Sequence, residues 1–107
     1  MASLSAGKGK YKVWLKELKH GKDVVLLLGG GERPHIGSVV LCGPRKEPII
    51  INRKGHFDWV VAKPIAKKMS RKTGKTVVCI AGIHVDNATK KEIELLKRNC
   101  KDIEKKI

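Results

Sequence analysis

The chain has 107 residues, enough for one domain with a modest core and too few for two. Its 24 Lys and Arg against 10 Asp and Glu give a formal net charge of +14, which favours an acidic partner: nucleic acid, a phosphorylated cofactor or an acidic protein surface. No run of about 18 apolar residues is present to cross a membrane as a helix, and residues 1–9 lack the apolar stretch of a secretory signal, so a soluble, cytoplasmic protein without membrane contact is expected.

Residues 1–9 are small, polar and basic with nothing to bury, and are expected to form a disordered tail ahead of a single domain over residues 10–107. From Lys10 onward, Tyr11, Val13 and Leu15 alternate with Lys12, Trp14 and Lys16, the period of a strand with one buried face. A turn at residues 19–22 leads to residues 24–28, a continuously apolar run that reads as a strand covered on both faces. Residues 36–42 repeat the type. With only about seven residues between the two runs, an antiparallel pair is expected, because a parallel crossover needs a dozen or more. A turn at residues 43–47 precedes a fourth strand over residues 48–52, with Pro48 tolerated at its first position.

Asp58 can open a helix in which Val61, Ile65 and Met69 form one apolar stripe. Pro64 then implies either a kink or a helix that begins at Pro64 itself, and Gly74 is suited to a left-handed cap. The other face carries Lys63, Lys67, Lys68, Arg71 and Lys72, which form either a solvated face or an anion-binding surface. Residues 76–81 are apolar throughout and predict a central fifth strand, joined to the fourth by a right-handed crossover. Thr89 and Glu92 have the spacing of a capping box, and Ile93, Leu96, Cys100, Ile103 and Ile107 recur so as to lay the last helix on the sheet. The predicted fold is α/β in the broad sense, α+β in detail: a single mixed, mainly antiparallel sheet of five to six strands with two helices. Cys42, Cys79 and Cys100, odd in number and set in apolar patterns, read as buried free thiols.

Polar chemistry gathers where glycine, both charge signs, proline and histidine crowd together, from Gly29 to Gly37. Gly29 and Gly31 start a glycine-rich loop, but Pro34 stands where a dinucleotide fingerprint needs glycine, and no phosphate-binding loop with its Lys-Ser/Thr pair occurs. His35 and His84 each follow an apolar strand, with Glu32 and Asp86 nearby, and can meet at one sheet end. No nucleophile or Cys-x-x-Cys accompanies them, so hydrogen bonding of the loops or contact with a ligand or partner is favoured over metal binding or proton transfer, and no catalytic residue is assigned. Arg33 can present its planar fork to a phosphate or carboxylate, or pair with Glu32 inside the loop. Tyr11, Trp14, Phe57 and Trp59 are the aromatic residues, and no recognised nucleic-acid motif accompanies them, so sequence-independent nucleic-acid binding through the basic helix face stands as the alternative function.

Two strings carry a resemblance: GGERPHIG, through Gly30, Glu32, Arg33, Pro34, His35, Ile36 and Gly37, and AGIHVDNAT, through His84, Asp86 and Asn87. In this order, with Gly55-His56 and a helix between them, they resemble the prenylated-flavin chaperone-like family, the D-type subunits that accompany hydroxyaryl-acid decarboxylases such as the gallate enzyme. The likeness runs from about Val24 to the end of the chain. It implies a fold similar to the proteasome assembly chaperones and a non-catalytic accessory or chaperone role, with no cofactor required for the chain itself and prenylated FMN as its cargo. A decarboxylase subunit or similar protein is the implied partner, and a homo-oligomer is expected. The contacts it implies here are Gly30, Glu32, Arg33, Pro34, His35 and Gly37 from one loop and His84, Asp86 and Asn87 from the other.

Overall fold

The computed structural model describes residues 3–107. Its elements are β1 (Ser3–Ala6), a short 3-10 turn (Gly9–Tyr11), β2 (Val13–His20), β3 (Asp23–Gly31), β4 (Ser38–Cys42), β5 (Ile49–Asn52), α1 (Trp59–Thr73), β6 (Val77–His84) and α2 (Lys90–Lys105). The six strands form one sheet in the order β1-β2-β3-β6-β4-β5. Only the β3–β6 pair is parallel, so the mixed, mainly antiparallel sheet with two helices matches the expected class.

Alternation along the strands separates two faces. Val13 and Leu15, then Val24, Leu26 and Leu28, then Val40, Val77, Cys79 and Ala81 all point to one side, where Ala62, Ile65 and Ala66 of α1 and Cys100 and Ile103 of α2 complete the core. Leu26, Leu28, Ile65 and Ile103 are its largest fully buried side chains, each worth about 1.5–3 kcal/mol of burial. Since α1 packs on β4 and β6, and α2 on β1 and β2, both helices lie on this one face.

Three expectations are corrected. Residues 3–6 of the supposed tail form β1, antiparallel to β2, because Leu4 and Ala6 find α2 to pack against; Met1 and Ala2 lie outside the described residues. β3 and β4 do not pair with each other: β6 lies between them, parallel to β3 and antiparallel to β4. The connecting loop therefore arches over the carboxyl end of β6 instead of turning a hairpin. The third concerns residues 24–28, expected to be covered on both faces, whose Val25 and Leu27 face away from the helices and are only half-buried.

α1 begins at Trp59 and carries Pro64 inside it, and Gly74 closes it with φ 69° and an N–H donated to the Ser70 carbonyl. Buried Ser38 ties its start to the sheet, donating to Asn52 of β5 while accepting the Trp59 N–H at 3.1 Å. α1 joins β5 to β6 as a crossover, and β4 lies between those two strands. The expected capping box opens α2, with Glu92 N–H donating to Thr89 Oγ1 and Thr89 N–H donating to Glu92 Oε1.

Candidate functional site

Parallel strands β3 and β6 end side by side at Gly31 and His84, and the two polar loops leave from these carboxyl ends. In open sheets that contain parallel strands, this is where ligands are received, because loops diverge there over exposed backbone groups. The arch after β3 follows the end of β6 closely. Glu32 and Arg33 N–H both donate to the His84 carbonyl, at 2.7 and 3.3 Å, His35 N–H to Gly82 and Gly37 N–H to Ala81.

Glycine makes that approach feasible. A Cβ on Gly82 would overlap the His35 carbonyl, one on Gly37 the Asp58 carboxylate, and one on Gly31 the His84 backbone. Gly31 also has φ 72°, in the left-handed region that favours glycine. Gly30 lets β3 lie against the Lys12 carbonyl and Val13.

A clasp joins the loops on their outer side. Arg33 pairs with Asp86 and not with Glu32, while Glu32 Oε1 accepts the Asp86 N–H at 2.8 Å. His84 Nε2 lies 2.8 Å from Asp86 Oδ1, and this hydrogen bond, with Arg33 adding its charge, holds the Asp86 carboxyl below its ordinary range. Asn87 follows with φ 51°, left-handed backbone that asparagine tolerates. Pro34 sits exposed at the crest of the arch.

Inside the clasp three imidazoles converge. The His35 ring centroid lies 5.2 Å from that of His56 and 6.1 Å from that of His84. Each is anchored through one nitrogen. His35 Nδ1–H donates to the Arg33 carbonyl at 3.2 Å and His56 Nδ1–H to the Lys54 carbonyl at 3.1 Å, whereas His84 uses Nε2 on Asp86. The second nitrogen of His35, Nε2, lies 3.9 Å from Asp58 Oδ2.

These rings border a cavity of about 430 Å³ between β6, the start of α1 and α2. Its walls are mainly apolar: Phe57, Val60, Ile83, Val85, Ile93 and Leu96, with Cys100 among the lining residues and Lys97 at one edge. Phe57, Val60 and Ile93 are 72%, 41% and 42% exposed, unusual for side chains of this kind unless something covers them. Asp58 supports the mouth, its Oδ1 accepting the Ile83 N–H at 3.0 Å. Burial and the nearby Asp58 push the Cys100 thiol up to about 12, which leaves it a neutral wall group at neutral pH.

Of the residues singled out in the sequence, His35 and His84 line the cavity, Gly37 backs its mouth, and Gly30 shapes the end of β3. Glu32, Arg33, Pro34, Asp86 and Asn87 belong to the clasp and its crest outside. His56, Asp58 and the apolar walls were missed as site residues. The signal for them was the His56-Phe57-Asp58 run at the head of α1, a polar, aromatic and acidic cluster immediately before an amphipathic helix. Among the described residues no group of three or more His, Cys, Asp or Glu is set to hold a metal ion.

A family model described as the prenylated flavin chaperone LpdD-like domain matches residues 7–107 and so includes β2, which lay outside the likeness read from the two strings. Protein LpdD of Lactiplantibacillus plantarum is 27% identical over 92 residues, covering 81% of this chain and 68% of the relative. With both site loops, the intervening His56 and both helices inside the matched span, the chain belongs to the prenylated flavin chaperone LpdD-like family.

Proposed function

We propose that the chain is a non-catalytic accessory protein for a prenylated-FMN-dependent decarboxylase, and that the cavity at the sheet end holds the flavin as cargo. One observation carries this reading: exposed apolar side chains at the starts of two helices stand beside three imidazoles lining one cavity or its mouth. A flavin enlarged by an isoprenoid unit is a flat, largely apolar ring system with a polar edge and a phosphate on its tail. The residues fit such a group. Phe57, Val60, Ile83 and Leu96 would cover the ring system, and His35, His56 and His84 would hydrogen-bond its polar edge. Lys97 would meet the phosphate, since its contact with Glu94 at 3.6 Å is a surface pair that is easily exchanged. When bound, the flavin supplies the decarboxylation chemistry used by a partner enzyme. This chain contributes binding, orientation and exclusion of water.

Calorimetric titration with FMN and prenylated FMN tests the proposal. His56→Ala and Lys97→Ala should each weaken binding by about fivefold or more, as for loss of a charge-assisted or buried hydrogen bond. Lys97→Ala should also lose discrimination against the dephosphorylated flavin. Arg33→Ala, outside the cavity, should change affinity by less than about twofold. No binding, or binding indifferent to both cavity variants, rejects the proposal.

The basic face of α1 favours a second reading. Lys67, Lys68, Arg71 and Lys72 line a groove of about 750 Å³ where α1 meets the end of α2. Sequence-independent nucleic-acid binding there would fall steeply with salt, survive Lys97→Ala and be lost in Lys67→Glu/Arg71→Glu. A gel-shift experiment at low salt with no retained band rejects it.

A further inference from the structure

A single trough runs along the seam between α1 and α2. Its wide end, of about 750 Å³, is lined by Lys67, Lys68, Arg71 and Lys72, and its narrower continuation, of about 300 Å³, by Lys97 and Lys101. Pro64 and Glu104 border both parts, and Val60, Val61 and Cys100 carry the continuation to the wall of the cavity at the sheet end. Positions 64, 67, 68, 71 and 72 share one face of α1, and positions 97, 101 and 104 share one face of α2, so helix periodicity assembles the two walls. Lys68 Nζ, donating to the Glu104 carbonyl at 2.7 Å, ties those walls together. The trough therefore sets six cations around one carboxylate, that of Glu104. Among the described residues, the carboxylate contact made by any of the six is Lys97 with Glu94 at 3.6 Å, which leaves the wide end without an ion pair.

We propose that this trough docks an extended acidic segment of a partner protein, one in which carboxylates alternate with aliphatic side chains. Charge selects an acidic occupant, and Arg71 can grip a carboxylate with both arms of its guanidinium. The lining selects a peptide. Lys67 and Lys68 are half-buried, so their stems form the walls and carry their charges to the rim, while Pro64 and Ile107 add apolar surface below. An extended chain points alternate side chains in opposite directions, which sends aliphatic groups to that floor and carboxylates to the rim. Length agrees, because the seam runs about 16 Å along α1 from Val60 to Arg71, the span of about five extended residues. Nucleic acid fits less well. Single strands bind by stacking their bases on aromatic rings, and none lines the trough among the described residues, whereas a duplex is too broad and stiff to enter a slot between two helices. A segment held here lies against the wall of the proposed flavin cavity, beside the place where cargo would change hands. The proposal rests on the accessory reading only in taking a protein as the occupant.

Fluorescence anisotropy with the full chain supplies the test, using labelled probes of equal charge: a peptide of about eight residues that alternates glutamate with leucine, the same peptide with serine for leucine, and an oligothymidylate. At about 50 mM salt the glutamate-leucine peptide should bind at least about threefold more tightly than either of the others. Lys67→Glu/Arg71→Glu should weaken it by about tenfold or more, and Arg71→Lys, which keeps the charge but loses the fork, by about threefold. Arg71→Glu alone, at an exposed position, decides the matter if the double variant fails to fold. FMN affinity should stay within about twofold of wild type in all of these, because none of the altered residues lines the flavin cavity, so loss of peptide binding and loss of flavin binding are separate results. Tighter binding of the oligothymidylate overturns the proposal in favour of nucleic acid. Equal binding of the two peptides overturns it by removing the apolar floor, and peptide binding unmoved by Arg71→Glu overturns it by placing the segment elsewhere.

Discussion

At Gly82 one missing Cβ decides whether the arch can close over the sheet. The His35 carbonyl lies where that Cβ would stand, and the backbone of β6 is held in place by its pairing with β3 at Gly29 and, one residue earlier at Ala81, with β4 at Ser38. Gly82→Ala should therefore displace His35 and destabilise the chain by roughly 1–3 kcal/mol in urea unfolding, as overpacking does, with flavin affinity falling in parallel. Stability within a few tenths of a kcal/mol of wild type would show that the arch yields freely. His35 and His84 were legible as site residues because each stands at the end of an apolar run, where strands stop and loops begin. His56 was not. It reaches the site only because α1 starts beneath the arch, a placement that Asp58 fixes through Ile83 and that no local pattern encodes. For Arg33 the sequence offers a phosphate, a carboxylate or neighbouring Glu32 as partner, and it could not reveal that Asp86, 53 residues away, takes the guanidinium.

Between elements, Glu92 binds the start of α2 to the 3-10 turn. Its carboxylate accepts from the Tyr11 hydroxyl at 2.6 Å and from the Thr89 N–H, and lies 3.4 Å from Lys10 Nζ. Together these hold its carboxyl down at about 2, from an ordinary 4.5, with the Tyr11 hydrogen bond the largest cause. A depressed folded value means that the stabilisation is fully present above about 4.5 and is lost as pH falls through about 2, because the unfolded carboxylate takes its proton first. A melting-temperature series from pH 6 to pH 2 should show this loss, and Glu92→Gln should flatten that part of the curve; identical curves would assign the acid sensitivity elsewhere. The capping box was visible in the sequence from Thr89 and Glu92, but the link to Tyr11 was not, since it depends on β2 lying under α2. Strand order was hidden for a related reason. A short loop between two apolar runs normally means a hairpin, and only the glycines at the end of β3 let so short a segment step over β6 and return on its far side.

For the molecule as a whole, charge is poorly balanced. Among the described residues the contacts of Lys or Arg with carboxylates are Lys10–Glu92, Arg33–Asp86 and Lys97–Glu94, against 24 cationic side chains in the chain. Much of the surplus lies along α1 and the end of α2, where Lys67, Lys68, Arg71 and Lys72 share one groove and Lys68 Nζ donates to the Glu104 carbonyl at 2.7 Å. Unfolding separates these cations, so their repulsion opposes the folded state, and salt relieves it as the Debye length shrinks to about 10 Å near 0.1 M. Raising sodium chloride from about 20 to about 300 mM at fixed protein concentration should therefore raise the melting temperature, by roughly 4–8 °C for each kcal/mol of repulsion removed. Lys67→Glu/Arg71→Glu should reduce that slope, because it replaces repulsion by attraction inside the groove. Sulfate should exceed chloride at equal ionic strength if the groove gathers anions, and equal effects of the two salts would reduce the groove to a generally screened surface. A melting temperature that falls with salt in the wild type would mean that the three ion pairs outweigh the surplus, contrary to the geometry of this face.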